Sequence, residues 1–342
     1  MQVIIPLAGK GTRLRPHTHI VPKPLLKVAG KPVMDWVMDR LDGLGVTELI
    51  FITGHLKEQV ENYARERYSI PSRFIERKVQ DGTAGAINLA RPHVTGPVLI
   101  VFVDTVFDAD LSSAKNTRDD GIIWAKEVED YQRFGVIVTD RNGYMTKIVE
   151  KPREPISKLA NIGLYYMRDV AALWAGIDHV LGKPANKGEW YLTDAFQHMI
   201  DHGRKIKVAE VANWYDAGAL GTTLETNALL LQKGVARRHR EDTGTAALKD
   251  GGKVIEPCYV EGGVVIERST VGPFVSVEKG TVIRNSTVKN AIIGARCRIE
   301  DCALEAAMLG DDVVVERFNG GGSMGAHSAV RGTGAEPDDA RD

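Results

Sequence analysis

The chain has 342 residues, with Lys+Arg 44 against Asp+Glu 45 and a formal net charge of -1. That length exceeds the ~250 to 300 residues at which a single core usually divides, so two domains are expected. The charge balance excludes the overall basic footprint of a nucleic-acid binder, and any positive site must be local.

No stretch approaches the ~18 apolar residues of a membrane span, and no basic segment followed by an apolar run opens the chain. This predicts a cytoplasmic protein without a membrane partner. The three cysteines, Cys258, Cys297 and Cys302, form neither a CxxC pair nor a His-flanked cluster, which argues against a disulfide framework or a zinc site.

At the N-terminus the apolar run QVII leads into PLAGKGTRLRP, residues 6 to 16. The P-loop pattern needs a glycine where Ile4 stands and a Ser/Thr where Gly11 stands, and the dinucleotide fingerprint needs a third glycine where Leu14 stands. Both fail. What remains is a strand, then Gly9-x-Gly11-Thr12-Arg13, then Lys23 in VPKPLL. Backbone N–H groups freed by the glycines can cradle one phosphate, and Arg13 and Lys23 can bring positive charge to others.

Downstream, β-rich runs alternate with helical patterns: ELIFIT, a helix over 56 to 68, RFIE, GTAGAINLA and VLIVFVD. Val33, Trp36, Val37, Leu41 and Leu44 fall at helical spacing, with Pro32 suited to a helix start and Gly45 to its stop. Such alternation predicts an α/β fold with a parallel sheet covered on both faces. FGVIVTD and YMTKIVE flank the turn RNG and read as a hairpin. Helices are expected at about 169 to 181, 189 to 202 and 219 to 239.

After ARRHRED the texture changes. Aliphatic residues recur at Val254, Val260, Ile266, Val271, Val277, Ile283, Val288, Ile293, Ile299, Leu304, Leu309 and Val315, each five or six residues after the last. Neither a helix nor a flat strand has that period, whereas a β-helix of hexapeptide turns does. Ala291, Ala295, Cys297, Cys302 and Ala303 suit its crowded interior. Residues 319–342 offer little to bury and are expected to be disordered.

GKGTRLRPHTHIVPKPLLKVAGKPV resembles the signature of the sugar-1-phosphate nucleotidyltransferases, the NDP-sugar pyrophosphorylases. DGTAGAINLA, VFVDTVF, FGVIV, VEKP, NIGLYYM and WYDAGAL follow in family order. The resemblance covers residues 1 to about 235. It implies a Rossmann-like nucleotidyltransferase domain with a mostly parallel sheet over 1–240, and a C-terminal left-handed β-helix over 251–318.

By that resemblance the enzyme joins a nucleoside triphosphate to a sugar 1-phosphate, giving an NDP-sugar and pyrophosphate. Arg13, Lys23 and Asp104 would be catalytic: Arg13 holds the β- and γ-phosphates and Lys23 reaches the α-phosphate. Leu7, Ala8, Gly9, Gly11, Thr12 and Arg13 would line the nucleotide loop, with Arg77, Gln80, Gly82 and Thr83 near the base. Asp104 and Asp216 would hold Mg²⁺, the implied cofactor. Gly135, Glu150, Lys151 and Asn161 would face the sugar phosphate. Two departures stand out, since Val103 replaces the usual glycine before the first aspartate and Arg77 replaces the glutamine that reads the base. UTP or dTTP is favoured over GTP.

Two alternatives are a non-catalytic sensing subunit and a bifunctional enzyme with an acyltransferase β-helix. The first would have lost the arginine, the lysine or a metal aspartate, and all four groups are present. The second usually has a histidine base in its repeats, and none lies between 254 and 315. The repeats are expected instead to assemble a homo-oligomer, because a bare solenoid end must be covered.

Overall fold

A computed structural model describes residues 1–234 and 246–332 and divides the chain into two compact units. The first contains Met1–Lys10 and Met34–Trp214; the second contains Gly11–Val33 and the chain from Tyr215 onward. No helix among the described residues is long and apolar enough to cross a membrane.

The first unit is built on one sheet, in the order Met145–Glu150, Gly135–Thr139, Leu159–Met167, Val98–Val101, Gln2–Pro6, Glu48–Thr53 and Ser72–Glu76. Gln2–Pro6 runs parallel to Glu48–Thr53 and to Val98–Val101, and Glu48–Thr53 runs parallel to Ser72–Glu76. Helical crossovers between these strands enforce that direction. Between residues 121 and 167 strands succeed one another without such crossovers. Leu159–Met167 accordingly enters antiparallel to Val98–Val101 and to Gly121–Glu127, and Gly135–Thr139 with Met145–Glu150 forms the expected hairpin.

Alternation along the strands sorts the core. Ile4, Ile50, Ile52 and Ile100 face one side, where they pack with Ile87, Leu173, Ile177 and Phe196 from helices Thr83–Asn88, Val170–Leu181 and Leu192–Asp201. On the other side Phe51 stacks on Phe74 at 5.3 Å, under Arg65 of helix Lys57–Arg67. Helices therefore cover both faces, and the carboxyl ends of the parallel strands are left to build a site.

In the second unit the five- to six-residue spacing resolves into three ladders of parallel pairs. Val254 pairs with Val271, Val271 with Val288 and Val288 with Leu304. Val260, Val277, Ile293 and Leu309 form the next ladder, and Ile266, Ile283, Ile299 and Val315 the third. Each coil thus takes three short strands and 16 or 17 residues. The three cysteines are buried and unbridged, and burial pushes the Cys297 thiol up to about 11. Their role is packing.

Two sequence expectations change. The solenoid does not stop at 318: Asn319–Met324 pairs with Ala303–Leu309, and Ala329–Arg331 with Val314–Glu316. Met324 continues the ladder of Leu309 and Val330 that of Val315, while the ladder of Leu304 ends on Gly320, beside which Asn319 Oδ1 accepts from the Ala303 N–H at 3.0 Å. His327, placed by sequence in a loose tail, occupies a corner 3.8 Å from Asp312. Residues 333–342 and the end of the helix expected at 219 to 239 lie outside the described residues. The two compact units also divide the chain differently from the expected boundary at residue 240, grouping Gly11–Val33 and the chain from Tyr215 with the solenoid.

Candidate active site

In the first unit, carboxyl ends of neighbouring parallel strands lead into the predicted groups. Gln2–Pro6 runs into Leu7, Ala8 and Gly9, Val98–Val101 into Asp104, and Ser72–Glu76 into Arg77. Gln80 Nε2 donates to the Ala8 carbonyl at 3.1 Å, which ties the turn after Ser72–Glu76 to the loop after Gln2–Pro6. Val103, the departure from the family pattern, is buried beside Asp104.

Arg77 faces its own turn. Its guanidinium donates to the Val79 carbonyl at 2.9 Å, to the Gly82 carbonyl at 2.6 Å and to Asp81 Oδ1 at 2.8 Å. Three acceptors occupy most of its fork, so it shapes the turn rather than reaching out from it. Gly82 has φ 100°, and a β-carbon there would fall 2.4 Å from Trp190 N. No other residue fits that approach. Thr83 Oγ1 accepts from the Leu192 N–H at 2.8 Å.

The hairpin and Leu159–Met167 bring together the residues expected to face a sugar phosphate. Asn161 Nδ2 donates to the Gly135 carbonyl at 3.0 Å and its Oδ1 accepts from Tyr165, while Lys151 Nζ lies 3.8 Å from Glu150 Oε1. Burial raises the Glu150 carboxyl above its usual range, and Lys151 and the Thr193 hydroxyl pull it back. A cation beside a sheltered acceptor is the chemistry that a phosphorylated, hydroxyl-bearing ligand needs.

The second unit holds Gly11, Thr12, Arg13, Lys23 and Asp216. Gly11 has φ 59° and a β-carbon there would clash with Thr18 Cγ2 at 2.9 Å, so the turn requires glycine. Thr12–Leu14 and Lys23–Leu25 are single helical turns that bury Leu14 and Pro24 and leave Arg13 exposed. Arg13 Nη2 and Asp216 Oδ1 both approach Gly218, lying 2.9 and 2.7 Å from the point where its β-carbon would sit.

The loop 11–33 rests on the solenoid through contacts that sequence did not reveal. Fully buried Asn227 accepts from the Ala29 N–H at 2.9 Å and from Ser276 Oγ at 2.6 Å, and donates to the Phe274 carbonyl at 3.2 Å. Lys27 pairs with Glu278, whose buried carboxyl is pushed up to about 7, and His17 Nε2 meets Ser323 Oγ at 2.9 Å. Asn227→Ala strands a buried donor and hydroxyl, so it is expected to cost about 1–3 kcal/mol in denaturant unfolding and to lower turnover as the loop loosens. Unchanged unfolding and turnover would remove Asn227 from that role.

Among the described residues no three His, Cys, Asp or Glu side chains cluster as a closed metal cage. Asp104 and Asp216 are hard oxygen donors. Each, Asp104 in the first unit and Asp216 in the second, is the kind of donor that Mg²⁺ takes in ones and twos, with its remaining ligands drawn from phosphate oxygens and water.

The model of the nucleotidyl transferase family matches residues 2–233. The bifunctional protein GlmU of Methanococcus aeolicus is 32% identical over 79% of this chain and 61% of its own length. This chain therefore spans about three-fifths of that relative. A glucose-1-phosphate thymidylyltransferase of Streptomyces antibioticus is 27% identical over 92% of this chain and 93% of its own. A UDP-glucose pyrophosphorylase complexed with UDP-glucose shares the fold with a TM-score of 0.60 over 68% of this chain and 98% of its own, at 21% identity. With residues 2–233 matched, more than half of its length, the chain belongs to the nucleotidyl transferase family.

Proposed function

We propose that the protein transfers a nucleotidyl group from UTP or dTTP to a sugar 1-phosphate, in the cytoplasm and as a homo-oligomer. The observation that carries the acceptor class is the sheltered Glu150 carboxylate beside Lys151 and Asn161. The pyrimidine preference is supported by the thymidylyltransferase that aligns over nearly the whole chain. The oligomer reading is supported by Ala329–Arg331, which ends its strand order with one neighbour among the described residues.

The sugar phosphate oxygen attacks the α-phosphorus in line; that P–O bond forms, the bond to the β-phosphate bridging oxygen breaks, and pyrophosphate leaves. No proton transfer is needed when the attacking phosphate is a dianion. Catalysis is therefore placement and charge. Arg13 binds the β- and γ-phosphates and steadies the leaving group, and Lys23 meets the charge that builds on the α-phosphate. Glu150 accepts from sugar hydroxyls and Lys151 pairs with the sugar phosphate. Asp104 and Asp216 would hold Mg²⁺, which would supply further positive charge to the phosphates.

Pyrophosphate release across the four NTPs and dTTP against a panel of sugar 1-phosphates tests this. Release with UTP or dTTP that depends on one sugar phosphate is expected, and none with any pair would refute it. Lys151→Ala is expected to raise KM for the sugar phosphate about tenfold while leaving the nucleotide KM within twofold, as steady-state kinetics would show. Equal effects on both substrates would mean that Lys151 is misassigned.

A further inference from the structure

Residues 190–193 touch both halves of the first unit's site. On one side they bind the base turn: the Trp190 N–H donates to the Asp81 carbonyl at 2.8 Å, the Ala84 N–H to the Trp190 carbonyl at 2.9 Å, and the Leu192 N–H to Thr83 Oγ1 at 2.8 Å. Gly82 is pressed against the Trp190 backbone. On the other side, Thr193 is buried and its hydroxyl donates to Glu150 Oε2 at 3.2 Å. Its Cγ2 lies 3.1 Å from where a β-carbon on Gly135 would stand, and the Tyr191 ring lies 5.4 Å below Lys151 Nζ.

We propose that Trp190–Thr193 is a strut that sets the Glu150 carboxylate from the turn at Gly82, with Thr193 as its positioning residue and Thr83 as its anchor. The inference rests on the proposed nucleotidyl transfer and adds how the two substrate halves are held in register. Only Tyr191 and Leu192 separate the Trp190 backbone bonds from the Thr193 hydroxyl, and helix Leu192–Asp201 begins at the second of them. A shift of the turn therefore carries over to the carboxylate.

Thr193 also acts on charge. Glu150 is flanked by Lys151 just past its own strand, by Glu189 just before the strut, by Tyr191 on it and Asp194 on its helix, and by Tyr165 of Leu159–Met167. Burial, Asp194 and Glu189 disfavour the ionised form, whereas Lys151 and the Thr193 hydroxyl favour it. Ionised, Glu150 offers both oxygens as acceptors, one to the Thr193 hydroxyl and one to a sugar hydroxyl, whereas protonation turns one of them into a donor, so activity is expected to rise with pH as it deprotonates. Removing the Thr193 donor raises its pKa further and moves that acid limb to higher pH.

Steady-state kinetics of wild type, Thr193→Val, Thr193→Ser and Thr83→Val across pH test this. Thr193→Val keeps the shape and loses the donor. It is expected to raise KM for the sugar phosphate about tenfold, to leave the nucleotide KM within twofold, and to shift the acid limb of kcat/KM upward; Thr193→Ser restores both. The sugar phosphate's own titration is common to all variants and cancels in the comparison. Thr83→Val is expected to raise KM for both substrates. A wild-type profile in Thr193→Val, equal damage in Thr193→Ser, or a Thr83→Val effect confined to the nucleotide would each overturn the strut while leaving the proposed reaction intact. A wild-type enzyme inactive with every substrate pair would overturn both.

Discussion

Replacing Arg13 with alanine is expected to lower kcat/KM by about a thousandfold with the fold unchanged. The residue is exposed on a single helical turn whose core anchor is the neighbouring Leu14, so truncating it costs little packing. The proposed reaction has no covalent intermediate and no obligatory proton transfer, which leaves cation placement as the main source of rate. Loss of one preorganised charge on a transferring phosphoryl group is worth on the order of 10²–10³ or more. Arg13→Lys is expected to recover only part of it, because a lysine cannot reproduce a bidentate fork. Single-turnover kinetics with circular dichroism as the fold control measure the effect. A loss below tenfold would remove Arg13 from the triphosphate.

The second large effect is expected at Asp104, at the carboxyl end of a central parallel strand. Asp104→Asn keeps size and shape and removes one negative charge. Turnover is expected to fall by about a hundredfold or more, and the Mg²⁺ concentration giving half-maximal rate to rise. Titrating Mg²⁺ into both proteins separates weaker metal binding from a slower chemical step. Equal Mg²⁺ dependence and equal turnover would mean that the carboxylate caps the strand end and does nothing more.

How far the sequence could be read depended on the range of the interactions involved. The solenoid was legible because each face of each coil must supply one aliphatic side chain, and Val254 to Val315 supply them at fixed intervals. Its last coil was not, since Gly320 falls where the next aliphatic of one ladder belongs and hides the continuation of the other two through Met324 and Val330. The hairpin and the strand ends that lead into Ala8, Arg77 and Asp104 followed from local patterns. Membership of loop 11–33 in the solenoid unit did not, because Asn227, Glu278 and Ser323 are distant in sequence. Arg77 was visible as a departure from the family's glutamine, but only tertiary placement reveals the three acceptors that hold it inward. Thr193 carries no signal of its own until the hairpin and helix Leu192–Asp201 are seen side by side.

The central claim is the transfer of a nucleotidyl group onto a sugar phosphate, and ³¹P NMR of the purified full chain with dTTP or UTP, Mg²⁺ and glucose 1-phosphate or a related sugar 1-phosphate tests it most directly. The expected result is a pair of diphosphate diester resonances growing in step with pyrophosphate, reversed when excess pyrophosphate is added. Nucleoside diphosphate or monophosphate appearing with no sugar nucleotide, or resonances that never change with any sugar phosphate, would contradict it.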